Sequence, residues 1–171
     1  MLRPSARLLK AASASAAGAA GAGAGAATAV QRGVVTAPAS AATSAHRIVL
    51  LVRDDLKMDR GKIAVQCSHA ALLLYTLPSS STASLTSPLS RDVARWRSAW
   101  QAEGHPALPL RIPDLHSMHA LALEAQQRGV PTAIVRDAGR TQVQRGSETV
   151  LGIGPAEGRV MDEICGHLDP L

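Results

Sequence analysis

The chain has 171 residues, which is enough for one domain of ordinary size and an extension. Most of its net charge of +5 comes from residues 1–45, which carry four of the 18 Lys and Arg residues and no acidic residue. Residues 46–171 therefore hold 14 basic against 13 acidic residues, so the overall charge says little about the folded part. With two Trp, one Tyr and no Phe, the chain lacks an aromatic platform for stacking single-stranded bases.

The N-terminal residues 1–45 consist mainly of Ala, Gly, Ser and Thr, a composition that cannot bury a core. A segment that carries Arg and Ser but no acid is typical of an organelle transit peptide, and a disordered cytoplasmic tail is the alternative. We expect a mitochondrial location, with plastid or cytoplasm as alternatives. The Ala/Gly run at 11–30 is only weakly hydrophobic, so no membrane span is predicted.

The folded part, 46–171, begins with the run HRIVLLVR at 46–53, whose continuous apolar residues predict a strand buried on both faces. A helix is predicted from Gly61 to Tyr75, because apolar residues recur there at helical spacing. The opposite stripe of this helix carries Lys62, Gln66 and His69, at i, i+4 and i+7.

The remaining elements follow from turn and cap residues. The Ser-rich stretch 78–88 predicts a flexible insertion. Ser90 and Asp114 are the expected caps of two helices, the first of which ends at Glu103. Pro109 places the segment 107–112 at a sheet edge or a strand start. Strands at 132–137 and 149–154 and a closing helix at 158–168 complete the chain.

This order of strands and helices predicts a three-layer α/β/α domain with a mostly parallel sheet. Sites in such folds lie at the carboxyl ends of the strands. The strands 46–53 and 132–137 end in the polar segments 54–62 and 138–149. We therefore expect these two segments and the polar stripe of the first helix to share one crevice.

The densest polar group follows the strand 132–137. It comprises Asp137, Thr141, Gln142, Ser147 and Thr149. A carboxylate and hydroxyls at the end of a strand can position a water molecule and donate hydrogen bonds to a polarised carbonyl. The alternative is a structural turn, in which Asp137 accepts from backbone N–H groups and Gly139 takes a positive φ. The sequence leaves both interpretations open.

Seven cations lie in the two converging segments. They are Arg53, Lys57, Arg60, Lys62, Arg136, Arg140 and Arg145. Such charges form either a solvated rim or a surface for a polyanion, whose phosphates would make binding salt-dependent. The pair His116 and His119 has no third ligand nearby, so no metal site is predicted. Cys67 and Cys165 are expected to be buried thiols.

Two sequence blocks carry a family resemblance. LLVRDDLKMDRGKIAVQCSHAAL, followed far downstream by VRDAGRTQ, GSETVLGIGP and GHL, is similar to the archaeal and eukaryotic type of peptidyl-tRNA hydrolase. The resemblance covers essentially all of 46–171. It implies an α/β fold with a four-stranded mixed sheet, and hydrolysis of the ester between a peptide and the 3′-terminal ribose of tRNA. In the cell, this activity would recycle tRNA from peptidyl-tRNA that has left the ribosome.

The resemblance also implies site residues. Lys62, Gln66 and His69 of the first helix match the family's motif, as do Asp137 and Thr141. Gly146, Ser147 and Thr149 match its later block, and Lys57 matches a motif of eukaryotic members. No cofactor and no metal are implied, peptidyl-tRNA is the implied partner, and a homodimer is left open.

From these residues we derive a mechanistic hypothesis. Asp137 orients or activates water, with His69 as the proton carrier, since an imidazole exchanges protons near neutral pH. Thr141, or the backbone N–H groups around Gly139, stabilises the oxyanion. Lys62, with Lys57 and Arg140 outside it, is expected to hold phosphates.

Gln66 is expected to hydrogen-bond the substrate, and Ser147 and Thr149 belong to the same substrate-binding set. The alternative function is a non-catalytic module that binds RNA or protein through the same cleft. Hydrolysis of another acyl ester is a third candidate.

Overall fold

A computed structural model describes residues 44–77, 88–139 and 143–171, with the side chains of 88–90 excepted. The predicted transit segment and insertion fall almost entirely outside this set, as do Arg140, Thr141 and Gln142. The described chain forms these elements in order: β1 (His46–Arg53), α1 (Arg60–Thr76), α2 (Pro88–Ala102), β2 (Ala107–Ile112), α3 (Leu115–Gln127), β3 (Thr132–Arg136), β4 (Glu148–Glu157) and α4 (Gly158–Cys165).

The four strands form one mixed sheet in the order β2-β1-β4-β3, which confirms the predicted α/β class and strand number. The expectation of a mostly parallel sheet is wrong. Only β1 and β2 pair in parallel, whereas β4 is antiparallel to both β1 and β3. The reason is the connection between β3 and β4, which has no helix in its described residues, whereas a parallel return needs a long crossover. The chain therefore turns back as a hairpin.

Helices cover both faces of the sheet, as the three-layer prediction requires. On one face, Leu50 of β1 packs in a cluster with Ala70 and Leu74 of α1. On the other face, Leu51 packs with Met118 of α3 and Ile164 of α4, along with their buried neighbours. Because side chains alternate along β1, a strand buried on both faces must be apolar at every position.

The helix α1 lies very close to β4 at one glycine. A Cβ atom built on Gly152 would lie 2.8 Å from Leu74 Cδ1 of α1. The missing side chain therefore lets the helix approach the sheet. At its start, α1 is capped by Asp59, whose Oδ1 accepts from the N–H of Lys62 at 2.7 Å. This cap explains why the helix begins at Arg60, one residue before the predicted Gly61.

The observed boundaries of four other elements differ from the predicted ones, and the first of these, β3, ends at Arg136 and not at 137. Asp114 caps α3 as predicted. The helix α2 starts at Pro88, since Pro is well suited to a first helical turn, and the side chain of Ser90 lies outside the described set. β4 continues to Glu157 because its last residues pair with the start of β1. The closing helix α4 ends at Cys165, earlier than predicted.

The sheet order brings the carboxyl ends of β1 and β3 to the same edge, as the site prediction requires. β1 and β3 are both antiparallel to β4, which lies between them, so they run in the same direction. Their carboxyl ends therefore meet at one edge of the sheet. Among the described residues, no helix is long and apolar enough to span a membrane.

Candidate active site

The carboxylate of Asp137 lies at the centre of the polar group and accepts three hydrogen bonds. Asp137 follows β3 and is buried. Its Oδ2 atom accepts from Lys62 Nζ at 2.6 Å and from Gln66 Nε2 at 3.0 Å. Its Oδ1 atom accepts from the backbone N–H of Gly139 at 2.7 Å. These donors hold the carboxylate in one orientation.

The two side-chain donors come from one face of α1. Lys62 and Gln66 are four residues apart, so they lie one turn above the other on the same side of the helix. The side chain of Lys62 is only 8% exposed and that of Asp137 only 6%. The ion pair is thus largely withdrawn from water. The expected phosphate contact of Lys62 stays a prediction, and its described contact is the carboxylate.

These contacts hold Asp137 in its charged form. The hydrogen bond from Lys62, followed by that from Gly139, holds the pKa of Asp137 below its ordinary value. The charge of Lys62 and the amide of Gln66 act in the same direction, and burial opposes them. The site therefore presents an ionised carboxylate at neutral pH.

Thr149 orients Gln66 from behind. In the β3–β4 ladder, Val135 pairs with Val150 and Arg136 with Glu148, so Thr149 is an extra, bulged residue of β4. Its hydroxyl is wholly buried and donates to Gln66 Oε1 at 2.8 Å, with a longer contact to Val135 O at 3.3 Å. With its oxygen held in this way, the amide of Gln66 must turn its NH₂ group toward Asp137.

The loop after β3 is closed by the backbone of Asp137. Its N–H donates to Ser147 O, and its C=O accepts from the N–H of Gly146, both at 2.8 Å. Gly139 and Gly146 adopt positive φ angles of 74° and 86°. A Cβ atom on Gly139 would lie 2.3 Å from Arg145 Cβ. Asp137 thus combines both sequence interpretations, because its backbone builds a turn while its carboxylate faces α1.

His69 lies on the same helix face as Lys62 and Gln66. It is three residues beyond Gln66 and is exposed. Within the described part of the chain, no hydrogen bond or ion pair of its imidazole is found. Its role as a proton carrier stays a prediction. Thr141 and Arg140, which were also predicted at this site, lie outside the described residues.

The predicted cations separate into engaged and exposed groups. Lys57 is exposed and pairs with Asp54, in the segment that follows β1. Arg53 is buried and binds Asp55, with a further bond of 2.9 Å to Glu148 O. Arg60 and Arg145 are exposed at the edge where the site opens.

The role of Glu148, which lies beside Thr149 but faces α3, was not predicted from the sequence. Its carboxylate accepts from Arg136 at 2.9 Å and pairs with His119. The hydrogen bond from His119, and then that from Arg136, lowers the pKa of Glu148. His119 thus pairs with a carboxylate. Among the described residues, no group of three potential ligands could hold a metal. The sequence signal for the contact between Arg136 and Glu148 was the opposite charge of these two residues on the two strands of a hairpin.

The cysteine thiols lie apart from this polar group. Cys165 is buried at the end of α4, and burial raises the pKa of its thiol to about 12. Cys67 is half-buried on α1, where burial also raises its pKa. Burial thus disfavours the thiolate form of both cysteines.

The fold and the site define an α/β protein with an ionised carboxylate, held by three donors, at the carboxyl edge of its sheet. The family described as peptidyl-tRNA hydrolase PTH2 matches residues 46–171. The chain belongs to this family.

Individual relatives agree with this membership. The chain is 37% identical over 123 residues to peptidyl-tRNA hydrolase 2, mitochondrial, of Homo sapiens, covering 72% of this chain and 63% of the relative. It is 42% identical to peptidyl-tRNA hydrolase 2 of Saccharomyces cerevisiae, covering 71% and 56%. It is 37% identical to peptidyl-tRNA hydrolase of Sulfurisphaera tokodaii, covering 72% and 97%. The match thus spans a little under two thirds of the human relative and nearly all of the archaeal one.

Proposed function

We propose that this chain hydrolyses the ester that joins a peptide to the 3′-terminal ribose of tRNA. The carrying observation is the ionised Asp137 carboxylate, held by Lys62, Gln66 and Gly139. All four residues lie within the segment that matches the family. The printed names of the human, yeast and archaeal relatives support the same substrate.

In this proposal, Asp137 orients the attacking water. Its lowered pKa makes it a weak base, so it holds the water by accepting a hydrogen bond, and His69 takes the proton. The water oxygen bonds to the ester carbon, the bond from this carbon to the 3′ oxygen breaks, and His69 returns the proton to the 3′ oxygen. The products are free tRNA and a peptide carboxylic acid, which ionises to the carboxylate. The N–H of Gly139 itself donates to Asp137, so other backbone N–H groups around Gly139 stay predicted oxyanion donors, as does Thr141.

Lys62, Gln66 and Thr149 act as positioning residues. Lys62 keeps Asp137 ionised, and Thr149 sets the amide of Gln66. The exposed cations around the opening, with Lys57, Arg60 and Arg145 among them, would contact tRNA phosphates. Arg140 and Ser147 stay predicted members of this surface.

The test is incubation of the full chain with N-acetyl-aminoacyl-tRNA, peptidyl-tRNA and free aminoacyl-tRNA. We expect cleavage of the first two only. Asp137→Asn should lower kcat by about 10²–10⁴-fold and leave tRNA affinity within about twofold. Asp92→Asn, on α2, is the matched control. Binding of peptidyl-tRNA without cleavage would instead establish the non-catalytic module, and cleavage of unrelated esters would establish a broader hydrolase.

We further propose that residues 1–45 are a mitochondrial transit peptide and that 46–171 form the enzymatic domain. The animal relatives from human, mouse and cattle are named as mitochondrial, which supports this location. Residues 1–45 carry Arg and Ser without any acid. A fusion of these residues to a fluorescent reporter tests the proposal. Import into mitochondria is expected, whereas plastid or cytoplasmic fluorescence would contradict it.

A further inference from the structure

The strand β3 is the last strand of the described sheet on its side. It pairs with β4, and no described strand lies beyond it. On the inner side, Gly154 N–H donates to Pro131 O. Alternation along an antiparallel ladder then turns the backbone groups of Thr132 and Ile134 outward. Outward groups on an edge strand are a template for another extended chain.

The helix α1 borders this edge on one face of the sheet. Lys62 and Gln66 mark the side of the helix that meets Asp137 at the end of β3. The same side continues to His69 and Leu73, and Leu73 is 42% exposed. No Asp, Glu, Lys or Arg occurs from 63 to 76. Beyond the site, α1 itself therefore adds no acidic residue, lysine or arginine to this border.

The helix α3 borders the same edge on the opposite face. Two contacts fix its position along the strand: His119 pairs with Glu148 near the carboxyl end of β3, and Gln126 Nε2 donates to Thr132 Oγ1 at 3.0 Å near its start. Leu123 lies between these two residues on α3 and is 56% exposed. The outer edge of β3 thus lies between two exposed leucines, Leu73 and Leu123.

We propose that this edge binds the peptide part of peptidyl-tRNA as an additional strand. The inference rests on the proposed function. The ester carbonyl is the carboxyl end of the peptide and must lie at Asp137, which follows the carboxyl end of β3. A peptide extending from there along the edge runs parallel to β3. Its alternating side chains then lie under Leu73 on one face and under Leu123 on the other.

The distribution of charge and the nature of the ladder both favour this occupant. The exposed cations Arg60 and Arg145 lie at the Asp137 end, where tRNA phosphates would bind, and beyond the site α1 adds no acidic residue, lysine or arginine to the border. Backbone hydrogen bonds do not depend on side chains, so the edge accepts peptides of many sequences. A second copy of this chain paired edge to edge is the competing occupant.

The experiment compares N-acetyl-alanyl-tRNA with N-acetyl-tetraalanyl-tRNA as substrates of the full chain. Four residues at roughly 3.3 Å each span most of β3. We expect a higher kcat/KM for the longer substrate. Leu73→Glu and Leu123→Glu should each lower kcat/KM for the longer substrate by about tenfold, and change it less than twofold for the short one. Tyr75→Glu is the matched control, since Tyr75 is similarly exposed on α1 but lies toward His105.

A backbone variant tests the ladder itself. Ile134→Pro removes an outward N–H that the sheet does not use, and edge strands tolerate such a change. It should remove the advantage of the longer substrate, with circular dichroism confirming an unchanged fold. If the Ile134→Pro variant unfolds, the results of the two leucine variants decide whether the inference holds.

Several outcomes would overturn the inference. Equal kcat/KM of the wild-type chain for the two substrates would do so, as would leucine variants that lose as much activity toward the short substrate as toward the long one. The same loss in Tyr75→Glu as in the leucine variants would also do so, and each of these outcomes leaves the proposed hydrolysis intact. A dimer in sedimentation that Leu123→Glu dissociates would assign the edge to a second copy. Cleavage of neither substrate by the wild-type chain would refute the proposed function, and this inference with it.

Discussion

The ammonium of Lys62 lies 2.6 Å from the Asp137 carboxylate, although 75 residues separate them along the chain. α1 supplies the cation and the end of β3 supplies the anion, so the pair joins a helix to the loop that it covers. The pair leaves Asp137 charged, and four predictions follow from this arrangement and its surroundings.

Replacing Lys62 should shift the pH dependence of activity. A carboxyl group whose pKa is lower in the folded chain than in the unfolded chain stabilises the fold at pH values above its unfolded pKa of about 3.9. This stabilisation is lost as the pH falls through the folded pKa. In the wild-type chain, the acid limb of kcat/KM due to Asp137 should therefore lie below about pH 4. In Lys62→Met this limb should move to higher pH. Kinetic profiles between pH 3 and 8 provide the measurement.

The control is Lys57→Met, which removes a nearby lysine that pairs with Asp54. It should leave the position of the acid limb unchanged. An acid limb that stays in place in Lys62→Met would show that Asp137 does not control the profile.

Removing the hydroxyl of Thr149 should disturb Gln66. Thr149→Val keeps the shape but leaves Gln66 Oε1 without its buried donor, which should cost about 1–3 kcal/mol in free energy of unfolding. Since the amide is then free to rotate, kcat should fall by about 10- to 100-fold. Urea unfolding and hydrolysis assays test both effects. Thr76→Val, which removes an exposed hydroxyl at the end of α1, should change neither appreciably.

Two glycines in the loop after β3 form a matched pair. Gly146→Ala should cost about 1–2 kcal/mol in free energy of unfolding, because its φ is positive but no described atom beyond its chain neighbours lies within 4 Å of the added Cβ. Gly139→Ala carries the same conformational cost and also places Cβ 2.3 Å from Arg145 Cβ. It should therefore lose more stability, and also activity, because the N–H donor to Asp137 moves. Equal effects of the two variants would show that the clash is relieved without moving the site.

The exposed Arg145 should contribute to the salt dependence of tRNA binding. Arg145→Gln should reduce the slope of log affinity against log salt by roughly one. Arg159→Gln on α4 is the control, since Arg159 is also exposed but follows the end of β4 at the opposite edge of the sheet. Fluorescence titration at several salt concentrations gives the slopes. An unchanged slope for Arg145→Gln would remove this residue from the phosphate contacts.

Local signals in the sequence predicted much of the fold. The continuous apolar run of β1 and the Asp114 cap of α3 required no knowledge of distant contacts, and both are present. The spacing of Lys62 and Gln66 also placed them on one face of α1, where both meet Asp137. The positions of residues in a helical repeat, or at the end of a strand, can thus be predicted from the local sequence.

Pairing between distant strands could not be predicted in the same way. The short loop after β3 makes β3 and β4 neighbours in a hairpin, but it does not decide that β4, rather than β3, pairs with β1. The bulge at Thr149 depends on the register of β3 against β4, which single residues do not report. As a result, Thr149 was expected to touch substrate, whereas it lies buried behind Gln66. Glu148 was missed because His119 approaches it from a different helix.

The close contact between Gly152 and Leu74 links the core to the chemistry. Lys62, Gln66 and Leu74 all belong to α1. The distance between α1 and β4 therefore influences the distance from both donors to the Asp137 carboxylate. One added methyl at position 152 displaces the Leu74 side chain, and any movement of α1 that follows moves Lys62 and Gln66 away from Asp137 together. A glycine without any functional group thus helps to set the positions of the polar residues, and packing in the core is coupled to the geometry of the site.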